Sequence, residues 1–241
     1  MMSLRVGCDI DGVLADFRSG FLEMADRVLG RPGSDSAEDL DAVPEADARK
    51  VWKAITRTPN WWLGLRAYEP SEIARLYRLS RERKWEVFFM TTRVPTAGDS
   101  VQFQTQWWLE EHGFLLPSVV TVYGSRGDLA NSLQLDLLVD DQMMNCADVI
   151  GASRAKALLM LRTPRPDVKE QAATAGIGVV ETFAGAIEVL EELHELGGER
   201  RRSLTKLSDW FSGRKNLSKA TLPMNPRELR PLAGTEEPQD R

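Results

Sequence analysis

Apolar residues along this chain occur in two kinds of stretch. The short, uninterrupted runs Leu4–Cys8, Trp85–Met90, Val119–Tyr123, Leu137–Val139, Ala157–Leu161 and Gly178–Val180 predict buried strands. Between them, apolar residues recur every three or four positions, which predicts helices over 17–29, about 46–56, 71–84, 100–112, 129–133, a segment after Pro166 and 184–196. Breakers bound several of these: Gly30-Arg31-Pro32-Gly33, Thr58-Pro59-Asn60, Gly113 and Gly197-Gly198. Alternating helix and apolar strand predicts an α/β fold with a doubly wound parallel sheet. Residues 17–68 break the alternation. They hold two helical patterns, a polar acidic loop (34–47) and the aromatic knot Trp61-Trp62-Leu63-Gly64-Leu65, but no strand, and predict a small helical insertion after the first strand. The expected division is a core of 1–16 and 69–198, the insertion 17–68, and a tail 199–241.

The polar residues at the ends of the predicted strands carry the chemistry. Asp9 and Asp11 follow the first strand, Thr91, Thr92 and Arg93 the second, Arg126 the third, and Asp140 and Asp141 the fourth. A parallel sheet gathers all of these at its carboxyl edge, where open α/β sheets bind ligands. Gly12 lets the chain turn sharply and come close to whatever the carboxylates hold.

Composition narrows the chemistry. Only two histidines are present, His112 and His194, both in Glu-rich helical surroundings that suggest solvated helix-end roles, so a Ser-His-Asp hydrolase or a Cys/His zinc site is poorly supplied. Cys8 reads as a small buried filler, and with Cys146 the only other cysteine a disulfide framework is not expected. No apolar segment is long enough to span a membrane and no signal peptide is evident, so the expected location is cytoplasmic. The net charge of −5 argues against a protein that coats nucleic acid.

Carboxylates crowded at one edge repel one another, by about 4 kcal/mol for two charges about 4 Å apart at an effective dielectric near 20. A cation relieves this, and an all-oxygen donor set, Asp9, Asp11, Asp140 and Asp141, matches Mg²⁺ best. Thr91 and Thr92 offer donors to a phosphoryl group and Arg126 a permanent positive charge. These are the parts of a phosphoryl-transfer site. Asp9 is the candidate nucleophile, and Asp11 the acid that protonates the leaving oxygen and then activates water.

Asp9-Ile10-Asp11-Gly12-Val13, Thr91-Thr92-Arg93, Arg126 in Gly-Ser-Arg-Gly, and Asp140-Asp141 resemble, in order and spacing, the four motifs of the haloacid dehalogenase-like (HAD) phosphohydrolases. The resemblance spans Leu4 to Asp141. It implies a HAD-like Rossmannoid core, Mg²⁺, an aspartyl-phosphate intermediate and a cap domain, here the helical insertion. The segments 9–17 and Pro59-Asn60-Trp61-Trp62 and the Thr91-Thr92 pair are similar to the deoxyribonucleotidase group, which implies nucleoside monophosphates as substrates. One position departs from the pattern: the third motif is commonly Lys, and here it is Arg126, whose fork keeps the charge but changes how Asp9 is oriented. Lys156 ranks below it as an alternative donor.

Trp61 and Trp62 either stack on a base or form the cap's own core; both, with Arg93, are candidate substrate contacts. Trp107 and Trp108 read as packing, with Trp107 the more buried. The basic tail (Arg200-Arg201-Arg202, Lys206, Arg214-Lys215, Lys219) carries one apolar stripe, Leu204, Leu207, Trp210 and Phe211, which suits an amphipathic helix docking on the domain, a partner or an anionic surface, and from Leu222 onward reads as a solvated, Pro-rich tail. The expected partner is a small phosphate ester. Sugar phosphates, nucleic-acid terminal phosphates and a non-catalytic phosphate-binding role are the alternatives.

Overall fold

The computed structural model of the chain describes residues 3–30 and 43–198. The tail and most of the acidic loop of the insertion lie outside the described residues. Six strands, β1 (Arg5–Asp9), β2 (Glu86–Thr91), β3 (Ser118–Thr121), β4 (Leu137–Asp140), β5 (Lys156–Met160) and β6 (Gly178–Val180), form one sheet in the order β3-β2-β1-β4-β5-β6. Every pairing is parallel. The strand order reverses between β1 and β4, which opens a crevice at their carboxyl ends.

The core helices are α3 (Pro70–Arg83), α4 (Val101–Glu111), α5 (Arg126–Ser132), α6 (Met143–Ala152), α7 (Pro166–Ala175) and α8 (Phe183–Gly198). They cover both faces of the sheet. Val6, Cys8, Phe89, Val139 and Leu158 share one cluster with residues of α3, α4 and α8. Met90, Leu138, Ala157 and Leu159 point the other way and pack with residues of α5, α6 and α7. This opposition is the two-residue alternation of strands buried on both faces.

The insertion holds α1 (Phe17–Leu29), α2 (Glu45–Arg57) and a 3-10 helix, Trp61–Gly64. Asp16 caps α1 by accepting the Ser19 N–H, and Gly30 ends it in a left-handed conformation. Phe21, Met24, Val51, Ile55, Trp61 and Trp62 are buried and continuous with the sheet's upper cluster, so the insertion shares its packing with the core.

Four local expectations need correction. No element is assigned from sequence between Asp141 and Lys156, where α6 forms and buries Cys146 and Val149. The helix expected from 129 begins three residues earlier, since Ser125 caps it by accepting the Asp128 N–H, and this makes Arg126 its first residue. Trp108, not Trp107, is the buried member of the α4 pair. Val101, Gln104, Thr105, Trp108 and Leu109 form the inward stripe, while Trp107 is 45% exposed and pairs edge-on with Phe103. The histidines are half-buried and bonded rather than solvated: His112, the C-cap of α4, has Nδ1 2.7 Å from the Trp108 carbonyl, and His194 Nδ1 accepts the Trp85 indole N–H at 3.1 Å.

Candidate active site

The register of β1 on β4 sets Cys8 beside Val139, so the next residues, Asp9 and Asp140, leave the sheet side by side at the crevice. Both are buried. After Asp9 the chain folds back tightly, with Leu14 N–H donating to Ile10 O at 2.8 Å and Gly12 N–H to Ala15 O at 3.0 Å. Gly12 has φ +85°, and a Cβ there would fall 2.0 Å from Asp141 Oδ2. Only glycine therefore lets the turn carrying Asp11 pass under the Asp141 carboxylate.

Arg126 enters from α5. Its Nη2 donates to Asp9 Oδ1 at 2.9 Å and lies 3.4 Å from Thr92 Oγ1, and its Nε is 3.9 Å from Asp140 Oδ2. Its other terminal nitrogen, Nη1, is buried and has no hydrogen-bond partner. Leaving such a charged donor unsatisfied is costly, so a bound anion is its natural complement. Asp148 supports this helix from below, accepting the Ser125 hydroxyl and the Gly127 N–H, each at 2.8 Å. Gly127 allows the close approach of α5 to α6: a Cβ there would lie 2.3 Å from the Asp148 carbonyl oxygen.

Arg93 occupies the opposite side. Its side chain is completely buried and grips Asp11 with two parallel bonds, Nε to Oδ2 and Nη2 to Oδ1, both 2.8 Å. Nη1 donates to Thr105 Oγ1 at 3.0 Å, and the guanidinium lies 4.7 Å from the Trp62 ring centroid. Thr91 Oγ1 is 3.3 Å from Asp11 Oδ2, and the Thr92 hydroxyl donates to Val122 O. Asp140 accepts the Gln142 N–H at 2.8 Å and bonds from the Asn145 amide.

The structure thus brings Asp9, Asp140 and Arg126 together, sets Asp141 over Gly12, and joins Asp11, Thr91 and Arg93. Trp61 and Trp62 are buried, tilted edge-on to each other and packed against Phe17, and the Trp62 indole N–H donates to Val94 O at 2.9 Å. Trp62 and the Arg93 fork are engaged within the protein, while Trp61 also lines a cavity of the insertion with Asn60, Gly64 and Leu65. Lys156 opens β5 at the other edge of the sheet, away from the crevice. Sequence reading missed Asn145, Asp148, Thr105 and Arg162. Of these, Arg162 carried a signal, because it directly follows the β5 run. It donates to the Gly12 and Val13 carbonyls and pairs with Glu69, bracing the Asp11 turn from behind.

Burial, then the neighbouring Asp140, push Asp9 well above the usual carboxylate range despite the Arg126 contact, and Asp141 and Asp11 add to the rise. Burial also raises Asp140, against the pull of Gln142, Asn145 and Arg126. Asp141 is pushed up to about 7 by burial and then by Asp140. Four carboxylates here face two guanidinium groups, so the site carries excess negative charge. A divalent cation with hard-oxygen preference would compensate it. Among the described residues no three carboxylate, imidazole or thiol side chains form a ready-made cage. The donor set still fits Mg²⁺, which takes one or two carboxylates and completes its shell with water and substrate phosphate.

No family model and no curated protein matches the chain. Solved structures do. A HAD family hydrolase from Deinococcus radiodurans R1, with bound phosphate and sodium, aligns with TM-score 0.52 at 15% identity over 79% of this chain and 96% of its own. A phosphonoacetaldehyde hydrolase-like protein from Oleispira antarctica aligns with TM-score 0.51 at 12% identity, covering 83% and 95%. A haloacid dehalogenase-like family hydrolase from Streptococcus pneumoniae aligns with TM-score 0.50 at 12% identity, covering 78% and 98%. The fold is that of the HAD hydrolases. At these identities the likeness concerns the HAD fold, with its all-parallel sheet, and leaves the chemistry to be argued from the site. Among the described residues, no helix is long and apolar enough to cross a membrane.

Proposed function

We propose that this chain is a phosphomonoester hydrolase that works through an aspartyl phosphate on Asp9. The observation that carries this reading is the unpartnered, buried Nη1 of Arg126, held by the bond from Nη2 to Asp9 Oδ1. It places an anion-seeking donor beside a carboxylate nucleophile, so a phosphoryl group that satisfies Arg126 also meets Asp9. Thr92, bonded to the Val122 carbonyl and close to Arg126, lines the same approach.

Asp9, Asp140 and Asp141 are the residues proposed to hold Mg²⁺, with Asp11 beside them. When bound, the ion supplies charge neutralisation for the phosphoryl oxygens. The chain's own residues do the rest. Asp9 attacks phosphorus; Arg126 binds the phosphoryl oxygens and orients Asp9; Asp11 passes a proton to the departing ester oxygen and then takes one from the water that hydrolyses the intermediate.

The finer proposal for the substrate is a nucleoside monophosphate. Its support is the Pro59-Asn60-Trp61-Trp62 segment, in which Trp61 lines a cavity, and the Thr91-Thr92 pair. Phosphate release from a panel of nucleoside monophosphates, sugar phosphates and aryl phosphates, with and without Mg²⁺, tests both levels. Turnover that depends on Mg²⁺ and is lost in Asp9→Asn supports the hydrolase. Metal and phosphate binding without turnover of any ester would instead assign a phosphate-binding protein, and preference for sugar phosphates would reject the nucleotide.

A further inference from the structure

We propose that Arg93 is a positioning residue that holds the Asp11 carboxylate toward the leaving group, and that Trp62 of the helical insertion holds Arg93 in turn. This rests on the phosphohydrolase reading and adds to it a link between insertion and proton transfer. Every guanidinium nitrogen of Arg93 is engaged, two on Asp11 and one on Thr105, and the side chain is wholly shielded from water. Its Nε/Nη2 fork is therefore taken by Asp11 and is not open to a phosphate. What it does offer is a fixed plane. Each carboxylate oxygen accepts at two positions, so the Arg93 fork takes the inner lone pairs of Asp11, Thr91 faces Oδ2, and the outer position of Oδ1 is left for a proton. As the P–O bond to the alcohol breaks, that proton passes from Asp11 to the departing oxygen.

The plane of Arg93 is itself set from the insertion. Trp62 lies over the guanidinium, its indole N–H donates to the carbonyl of Val94, the residue after Arg93, and its backbone N–H donates to Gln104 Oε1 at 3.3 Å. Gln104 and Thr105 are neighbours on the buried face of α4, so Trp62 and Arg93 are braced on the same helix. Thr105 is in turn fixed by its bond to the Val101 carbonyl at 2.7 Å. The chain Trp62, Arg93, Asp11 therefore runs from the insertion to the proposed proton donor without a solvent gap.

The test compares kcat on phenyl phosphate, whose leaving group needs a proton, with kcat on 4-nitrophenyl phosphate, whose leaving group needs it less. Arg93→Lys keeps the charge and loses the fork. It is expected to lower kcat on phenyl phosphate about tenfold more than on 4-nitrophenyl phosphate. Trp62→Leu should shift the ratio the same way by about threefold, and the double variant should shift it no further than Arg93→Lys alone. If Arg93→Lys does not fold, Thr105→Val removes only the Nη1 acceptor and should move the ratio in the same direction. Equal losses on both esters in folded variants overturn this inference alone, as does a double variant whose losses multiply. A wild type that hydrolyses neither these esters nor any nucleoside monophosphate or sugar phosphate overturns the phosphohydrolase reading and this inference with it.

Discussion

Two arginines flank the turn from Asp9 to Asp11, and their surroundings differ in one respect. Arg126, on the α5 side, binds Asp9 through one nitrogen and keeps a second, buried nitrogen without a partner. Arg93, on the α4 side, spends every nitrogen on protein groups and is covered by an indole. Both are buried charges next to a carboxylate, and sequence alone does not separate them. The unfilled donor marks a place for a ligand, and the filled one marks a support for another side chain.

Breaking the ligand side should have the largest effect. Arg126→Met is expected to lower kcat/KM by about 10²–10³-fold, the range for removing one preorganised charged donor, and to weaken inhibition by inorganic phosphate by a similar factor. Arg93→Lys should leave phosphate inhibition within about threefold, because the Arg93 fork is already taken by Asp11. Steady-state kinetics with phosphate as inhibitor separates the two, and equal weakening in both variants would erase the distinction.

A smaller effect is expected from the support beneath Arg126. Gly127→Ala would drive a methyl group into the Asp148 backbone, so α5 must move away from α6. A destabilisation of about 1–3 kcal/mol is expected, the range for overpacking, with a parallel loss of phosphate affinity. Denaturant unfolding measures the first, and unchanged affinity would show that Arg126 does not depend on this packing.

The carboxylates give a pH signature. Asp141 is raised to about 7 in the folded protein, chiefly by burial, whereas an unfolded Asp titrates near its ordinary value. The native state therefore binds more protons than the unfolded state between about pH 4 and pH 7, and metal-free stability falls as pH rises through that window. Asp9 and Asp140 shift the same way. The melting temperature of the metal-free protein should drop by about 4–8 °C from pH 5 to pH 8, as roughly 2 kcal/mol implies for a domain of this size. Saturating Mg²⁺ should recover most of that loss at pH 8 and little at pH 5. A stability that rises over this range would contradict the crowding of these carboxylates.

The smallest effect is expected outside the site. Trp107→Ala, on the exposed face of α4, should change stability by no more than about 0.5–1 kcal/mol and leave the ratio of the two aryl esters unchanged. A shifted ratio there would show that any disturbance of α4 moves Asp11, and would remove the special place of Trp62.

The strand-end rule made the edge legible before any coordinates. Asp9, Thr91 and Asp140 are the last residues of their strands, so a parallel sheet had to deliver them together. Arg126 was legible as a charge near that edge but not as the start of a helix, because its placement depends on Ser125 and on Asp148 from a distant element. The tryptophans show the limit most plainly. Trp61 and Trp62 suit base stacking and core packing equally in sequence, and their packing against Phe17 became visible only in three dimensions. Trp107 and Trp108 differ by one helical step, and their exposure followed from the phase of a stripe that includes the polar Gln104 and Thr105. The partners of Arg93, Asp11, Thr105 and Trp62, come from three separate segments and were not legible in sequence.

In the proposed reaction Asp9 takes the phosphoryl group. Wild type mixed with Mg²⁺ and 4-nitrophenyl phosphate, quenched in acid during turnover and digested with trypsin, should yield the peptide from Val6 to Arg18 carrying the mass of one phosphoryl group. Fragmentation should place it on Asp9, and Asp9→Asn should show neither the added mass nor turnover. An Asp9→Asn variant that hydrolyses the ester at the wild-type rate, with no phosphoryl group on this peptide in either protein, would contradict the account.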